Sequence, residues 1–131
     1  MNRIALPLLA VLALAGCGPS PFPDASFDGS IEDRSRFIAN GMQYVLPQEE
    51  NGMTIVAARA EGRELVLEVE SSLSGYASIT DTALTKSLRP GLCSEGYRGF
   101  IEAGGVVRFD FRDPQTGKTA GPGRVASCHG V

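Results

Sequence analysis

The sequence predicts an α+β fold: an antiparallel sheet of about four strands, in the order helix-β-β-helix-helix-β-β, with the helices packed on one face. Three observations carry that reading. Residues 64–70 and 107–112 alternate apolar and charged side chains with the period of two of a half-buried strand. Residues 30–47 instead place Ile31, Ile38, Met42 and Val45 at intervals of 7, 4 and 3, the spacing of a helical stripe. Between the two strand pairs, Ala77, Leu84 and Leu88, and then Cys93, Tyr97 and Ile101, repeat at helical intervals.

Taken in order, Ser30 reads as the N-cap of the first helix. Asp33 three residues on makes a near-capping box, and Glu32 adds charge to the first turn. Pro47 ends the stripe, and Gly41 inside it weakens one continuous helix. Residues 48–52 form an acidic loop closed by Asn51-Gly52. The β-branched and small residues of 53–60 suggest a strand. Leu65, Leu67 and Val69, set against Glu64, Val66, Glu68 and Glu70, suggest its partner across a Glu61-Gly62-Arg63 turn. The second helix is expected to stop at Arg89-Pro90-Gly91. The third starts after Ser94 and ends at Gly104. Val107, Phe109 and Phe111 alternate with Arg108, Asp110 and Arg112, residues 113–117 are turn chemistry, and the return strand falls at 124–128.

A chain of 131 residues supports one domain. Its net charge of −3 and pI of about 5.1 exclude the basic footprint of a nucleic-acid binder. Charge is uneven along it: residues 24–70 carry ten acids and four bases, residues 71–131 five acids and seven bases. Solvated sheet and loop faces account for that, or else a bipolar surface that orients a partner.

The N-terminus carries an address. Met1-Asn2-Arg3 is followed by an uncharged, mostly apolar run of twelve residues, from Ile4 to Ala15. As a helix that run spans about 18 Å, too short for a hydrocarbon core of about 30 Å, so it reads as a signal peptide. Its exit, Leu14-Ala15-Gly16-Cys17, resembles the lipobox of bacterial lipoproteins. The resemblance implies that residues 1–16 are removed and that Cys17 carries the lipid, including a palmitate-type acyl chain. The membrane is then a partner through that anchor. Gly18, where Asp would retain the protein on the inner membrane, implies the outer membrane of a cell envelope, facing the periplasm. Residues 17–29, rich in Pro, Gly and Ser, form a tether of about 40 Å at full stretch. Phe22 and Phe27 within it either dock on the body or dip into the membrane surface. Residues 30–131 are the single globular domain.

With Cys17 acylated, Cys93 and Cys128 remain. In an exported protein they are expected to pair, closing a loop with 34 residues between them for about 3.8 kcal/mol. The competing reading is a reactive Cys93 activated by His129, the one histidine. Two Cys and one His lack the spaced ligand doublets of a metal site, so no metal or cofactor is expected.

The remaining sequence offers little chemistry. Gly117-Lys118-Thr119 hints at a phosphate-binding loop, but Arg112 stands where its first Gly belongs. No G-x-S-x-G elbow is present, and Glu64, Glu68 and Glu70 are more simply an exposed face than an acid/base set. No catalytic residue is assigned. The expected function is an outer-membrane-anchored, non-catalytic interaction module with an envelope protein as partner. Its layout of lipobox, tether, compact body and Cys pair also resembles the pilotins of secretion systems, which carry a pore subunit to the outer membrane. That resemblance implies a secretion or assembly factor. A further alternative is an envelope hydrolase or small-ligand binder using the carboxylates or the Tyr76, Tyr97 and Arg98 neighbourhood. For a docking protein the candidate anchors are Tyr44, Leu46, Tyr76 and Tyr97, because a few aromatic and apolar side chains carry most binding energy.

Overall fold

A computed structural model describes residues 22–23, 27–50, 53–73, 80–93 and 96–130. The first helix, α1 (Ile31–Met42), begins where its cap predicts. The Asp33 N–H donates to Ser30 Oγ at 3.1 Å, and the Ser30 N–H donates back to the Asp33 carboxylate at 3.3 Å. The capping box is complete and satisfies two groups that the first turn leaves orphaned. Gly41 does not interrupt the helix, because Ile38, Ala39 and Met42 around it are buried.

Among the described residues the strands are β1 (Gln48–Glu50), β2 (Met53–Glu61), β3 (Glu64–Ser71), β4 (Val106–Arg112) and β5 (Thr119–Val125). They form one sheet in the order β1-β2-β3-β4-β5, with helices α2 (Asp81–Leu92) and α3 (Gly96–Glu102) between β3 and β4. The α+β architecture is as the sequence reads, with two differences in the sheet. Residues 48–50 make a fifth strand against β2 where a loop was expected, and β3 pairs with β4 in parallel. Both have physical causes. Gln48-Glu49-Glu50 has no apolar residue to signal a strand, and only the Asn51-Gly52 connection announces a hairpin. Two helices inserted between strands supply the long crossover that a parallel pairing requires.

Alternate residues of β3 and β4 face one core. Leu65, Leu67, Val69, Val107, Phe109 and Phe111 pack there with Ile38 and Met42 of α1, Leu84, Leu88 and Leu92 of α2, and Tyr97, Phe100 and Ile101 of α3. Helix α2 runs through Pro90 instead of stopping at Arg89. Its buried stripe continues to Leu92, and the Cys93 N–H still donates to Arg89 O at 3.0 Å. A proline in the last turn forfeits one donor. The return strand also differs, running over Thr119–Val125 instead of 124–128. Its Gly121-Pro122-Gly123 run conceals it in sequence, and β5 tolerates that run because it is an edge strand with a bulge opposite Asp110.

Candidate interaction surface

The outer face of the sheet is largely polar and internally paired, with Val56 of β2 as an exposed apolar residue among its charges. Arg59 on β2 contacts Glu61 at 2.6 Å and Glu68 at 3.2 Å. Arg108 on β4 bonds Asp110 at 2.9 Å and reaches Glu61 and Glu64 at 3.5 and 3.9 Å. Arg124 on β5 holds Glu64 at 3.3 Å, and Arg112 reaches Glu70 at 3.8 Å. Glu64, Glu68 and Glu70 therefore do share a face, as their spacing predicts, and each has a guanidinium partner. The surplus acids of the first half of the chain meet the surplus bases of the second across β3, so the lopsided charge becomes an alternating lattice on this face. At its centre Val66 is 0% exposed although it stands outside the core cluster. Its register partners are Arg59 and Arg108, whose aliphatic stems shield it.

Neither edge of the sheet invites an added strand. β1 is three residues long and acidic. On β5, the Arg124 N–H is already taken by Thr85 Oγ1 at 3.0 Å, and Pro122 has no N–H to offer. An open groove of about 900 Å³ follows this edge, lined by Asp81, Thr85, Lys86, Arg89, Pro122 and Arg124. Its lining sets one acid, Asp81, against Lys86, Arg89 and Arg124.

The exposed aromatics among the described residues lie on α1 and in the turn just after it. Tyr44, one residue beyond the C-cap of α1, is 92% exposed. The Val45 and Leu46 N–H groups both donate to Met42 O, at 3.0 and 3.1 Å, turning the chain so that Leu46 packs partly against the core while Tyr44 projects. Phe37 on α1 is also exposed, beside Phe27. Tyr97 differs from the expectation that it offers an anchor on the surface: it is 0% exposed, because its place on α3 faces inward. Burial pushes its hydroxyl pKa up, and that hydroxyl has no hydrogen-bond partner among the described residues. Tyr76 lies outside the described residues, as does Cys17.

Two features go beyond what sequence reasoning settled. The first is the seating of Phe22 and Phe27 on the body, one of the two alternatives that their place in a stretch of Pro, Gly and Ser left open. The Phe22 ring meets Tyr97 edge-on with centroids 4.8 Å apart. Phe27 lies 5.4 Å from Phe37, under the Arg34 guanidinium, which donates to Phe27 O at 2.9 Å. The second is Asp113, 3% exposed, in the turn after β4. Its carboxylate accepts from the N–H groups of Leu73, at 3.0 Å, and Gln115, at 2.9 Å, tying the exit of β3 to the β4–β5 turn. Those backbone donors, Leu73 first, hold its pKa below the ordinary carboxylate value.

Cys93 and Cys128 form a disulfide with Cα atoms 5.6 Å apart, joining the end of α2 to the segment after β5. Arg89 reinforces that join by donating to the carbonyls of Ser127, at 2.7 Å, and His129.

No protein-family pattern and no curated protein sequence matches the chain. Its fold, however, is that of solved bacterial proteins. The pilotin of the Vibrio vulnificus type 2 secretion system, EpsS, superposes with a TM-score of 0.64 at 15% identity, over 77% of this chain and 94% of the pilotin. The type II secretion pilotin AspS of Vibrio cholerae gives a TM-score of 0.59 at 22% identity, over 72% of this chain and 87% of that one. A Pseudomonas aeruginosa protein described as secreted gives 0.62 at 16% identity, over 74% and 89%. At these identities the likeness is one of fold.

Proposed function

We propose that the chain is an envelope factor of the pilotin kind: exported on residues 1–16, acylated on Cys17, held on the outer membrane facing the periplasm, and engaged with a protein of a secretion assembly without catalysing a reaction. One observation carries the reading. The described body corresponds to nearly the whole of two type II secretion pilotins, 87% and 94% of their lengths. The surface supports it. Both sheet edges are blunted, the outer-face carboxylates are engaged by arginines, and the Cys93 sulfur is tied up in a disulfide. Side chains on the helical side are left to do the binding, with the exposed Tyr44 and the half-buried Leu46 as anchors. Residues 30–131 form the binding body, and residues 17–29 connect it to the lipid.

The test is affinity capture of the lipidated protein from detergent-solubilised membranes, with bound proteins identified by mass spectrometry. A subunit of an outer-membrane secretion pore is the expected catch, and it should lose its outer-membrane location in cells lacking this chain. Cys17→Ser should release the protein from the membrane fraction. A pore that assembles normally without the chain overturns the proposal.

A further inference from the structure

The link between lipid and body is shorter than the sequence suggests, because its far end is docked. A free tether from Cys17 to the N-cap at Ser30 has thirteen residue steps and reaches about 45 Å. Phe22 and Phe27, however, are seated. Phe22 packs against the core and edge-on to Tyr97, over Gly96 at the first position of α3. A Cβ on Gly96 would come within 2.6 Å of the Phe22 ring, so the absence of a side chain there is what admits the ring. Phe27 repeats the arrangement at the start of α1. It lies over Gly29, whose added Cβ would meet the ring at 2.7 Å, and is gripped by Arg34 from above and through its carbonyl. Two aromatic rings in two glycine-floored seats make a strap. Only the five steps from Cys17 to Phe22 are left to span, at most about 17 Å.

Resting on the proposed acylation of Cys17, we infer that this strap presses one corner of the body, the beginning of α3, onto the lipid headgroup layer, and so fixes which way the protein faces. The partner of this surface is the bilayer itself. A link of about 17 Å cannot carry the Phe22 seat beyond the headgroup region by more than its own length. The β4–β5 turn lies at the far end of β4 from α3, a strand length of about 20 Å further on. With the α3 corner seated on the headgroups, the turn is the end that faces away from the membrane.

Energy transfer from the body to acceptor-labelled headgroups tests the inference. The full lipidated chain, purified from membranes and placed in phosphatidylethanolamine–phosphatidylglycerol vesicles, is labelled at one of two exposed positions. The first is Gly99→Cys on α3, where a Cβ meets nothing within 4 Å. The second is Gln115→Cys in the β4–β5 turn. Transfer from position 99 is expected to exceed that from 115 at least twofold. Phe22→Ala with Phe27→Ala should abolish the difference. Gly96→Ala, which improves helix propensity while evicting the Phe22 ring, should do the same in a protein that keeps its fold. Equal transfer from the two positions in the acylated parent overturns the strap. So does an unchanged difference in the Gly96→Ala protein. Intact mass separates the two readings: a Cys17 without acyl chains removes the anchor itself, whereas an acylated chain with equal transfer removes only the strap.

Discussion

On the inner face of β3 and β4, Leu65, Leu67, Val69, Val107, Phe109 and Phe111 are buried against three helices. One residue along the same strands, the outer face presents Glu64, Glu68, Glu70, Arg108, Asp110 and Arg112, joined by ion pairs in contact with water. The backbone hydrogen bonds are shared, so the contrast lies in the side chains. Apolar burial contributes in proportion to area removed from water, at about 25 cal/mol per Å². Exposed ion pairs contribute about 0–1 kcal/mol each, since water already solvates the separated charges. The inner face holds the fold, and the outer face keeps the sheet soluble and covers Val66.

The contrast breaks or holds at adjacent residues of β4. Phe109→Ala should cost about 3–5 kcal/mol in urea unfolding, because the ring is fully buried and leaves a cavity. Arg108→Ala, one position away, should cost about 1 kcal/mol or less, part of it from uncovering Val66, and the cost of charge loss should shrink in high salt. Comparable losses at the two positions would mean that the outer lattice carries the fold as much as the core does. The disulfide sharpens the same comparison from the inner side. Replacing Cys93 and Cys128 together with Ser should cost about 2–5 kcal/mol, chiefly by freeing the unfolded chain. It should leave the outer face untouched, as read by the salt dependence of unfolding.

How much of this was legible follows from what each residue signals locally. The capping box at Ser30 and Asp33 and the alternation of Val107, Phe109 and Phe111 are local patterns, and they appear where the sequence places them. The disulfide followed from counting the cysteines left once Cys17 is set aside as the expected lipid site. Strand β5 was misplaced because Gly121, Pro122 and Gly123 speak against a strand, and only an edge position makes them acceptable. The length of α2 past Pro90 depends on tertiary burial of Leu92, which outweighs local propensity. The arginine partners of Glu64, Glu68 and Glu70 come from strands up to 60 residues distant, as Arg124 does for Glu64, so no spacing rule reveals them. Tyr97 was ambiguous for a related reason: its i+4 spacing from Cys93 marked a helix face without saying whether that face points in or out.

Acid should distinguish the clamp at Asp113 from both faces. Its carboxyl is held below the ordinary value of 3.8 by the Leu73 and Gln115 N–H donors. A depressed folded-state pKa contributes stability that is fully present above the unfolded value and is lost as pH falls through the folded one. The parent should therefore lose stability below pH 3.8. Asp113→Ala should melt at a lower temperature at neutral pH, with the gap to the parent closing as the parent is acidified. Asp33 is also depressed, by Ser30, but titrates in both proteins and so cancels in the comparison. A gap that stays constant down to pH 2 would show that the turn does not depend on the carboxylate charge.

The smallest expected change in stability is at Tyr44, and there the functional contrast between the surfaces is most direct. Its ring is 92% exposed, so Tyr44→Ala removes almost no buried area and should alter unfolding free energy by less than about 0.5 kcal/mol. A binding anchor behaves otherwise. It becomes buried only in the complex, and truncating it costs about 2 kcal/mol or more of affinity, some thirtyfold in Kd. Arg59→Ala on the outer lattice supplies the matched control. It should cost about 1 kcal/mol or less of stability and, as a rim charge, should change association rate and salt dependence more than dissociation. Measured against whatever envelope protein is captured, a Tyr44→Ala protein that melts normally but dissociates much faster places recognition on the helical side. If Arg59→Ala loses the partner while Tyr44→Ala keeps it, the outer sheet face is the docking surface and the assignment of the two faces is reversed.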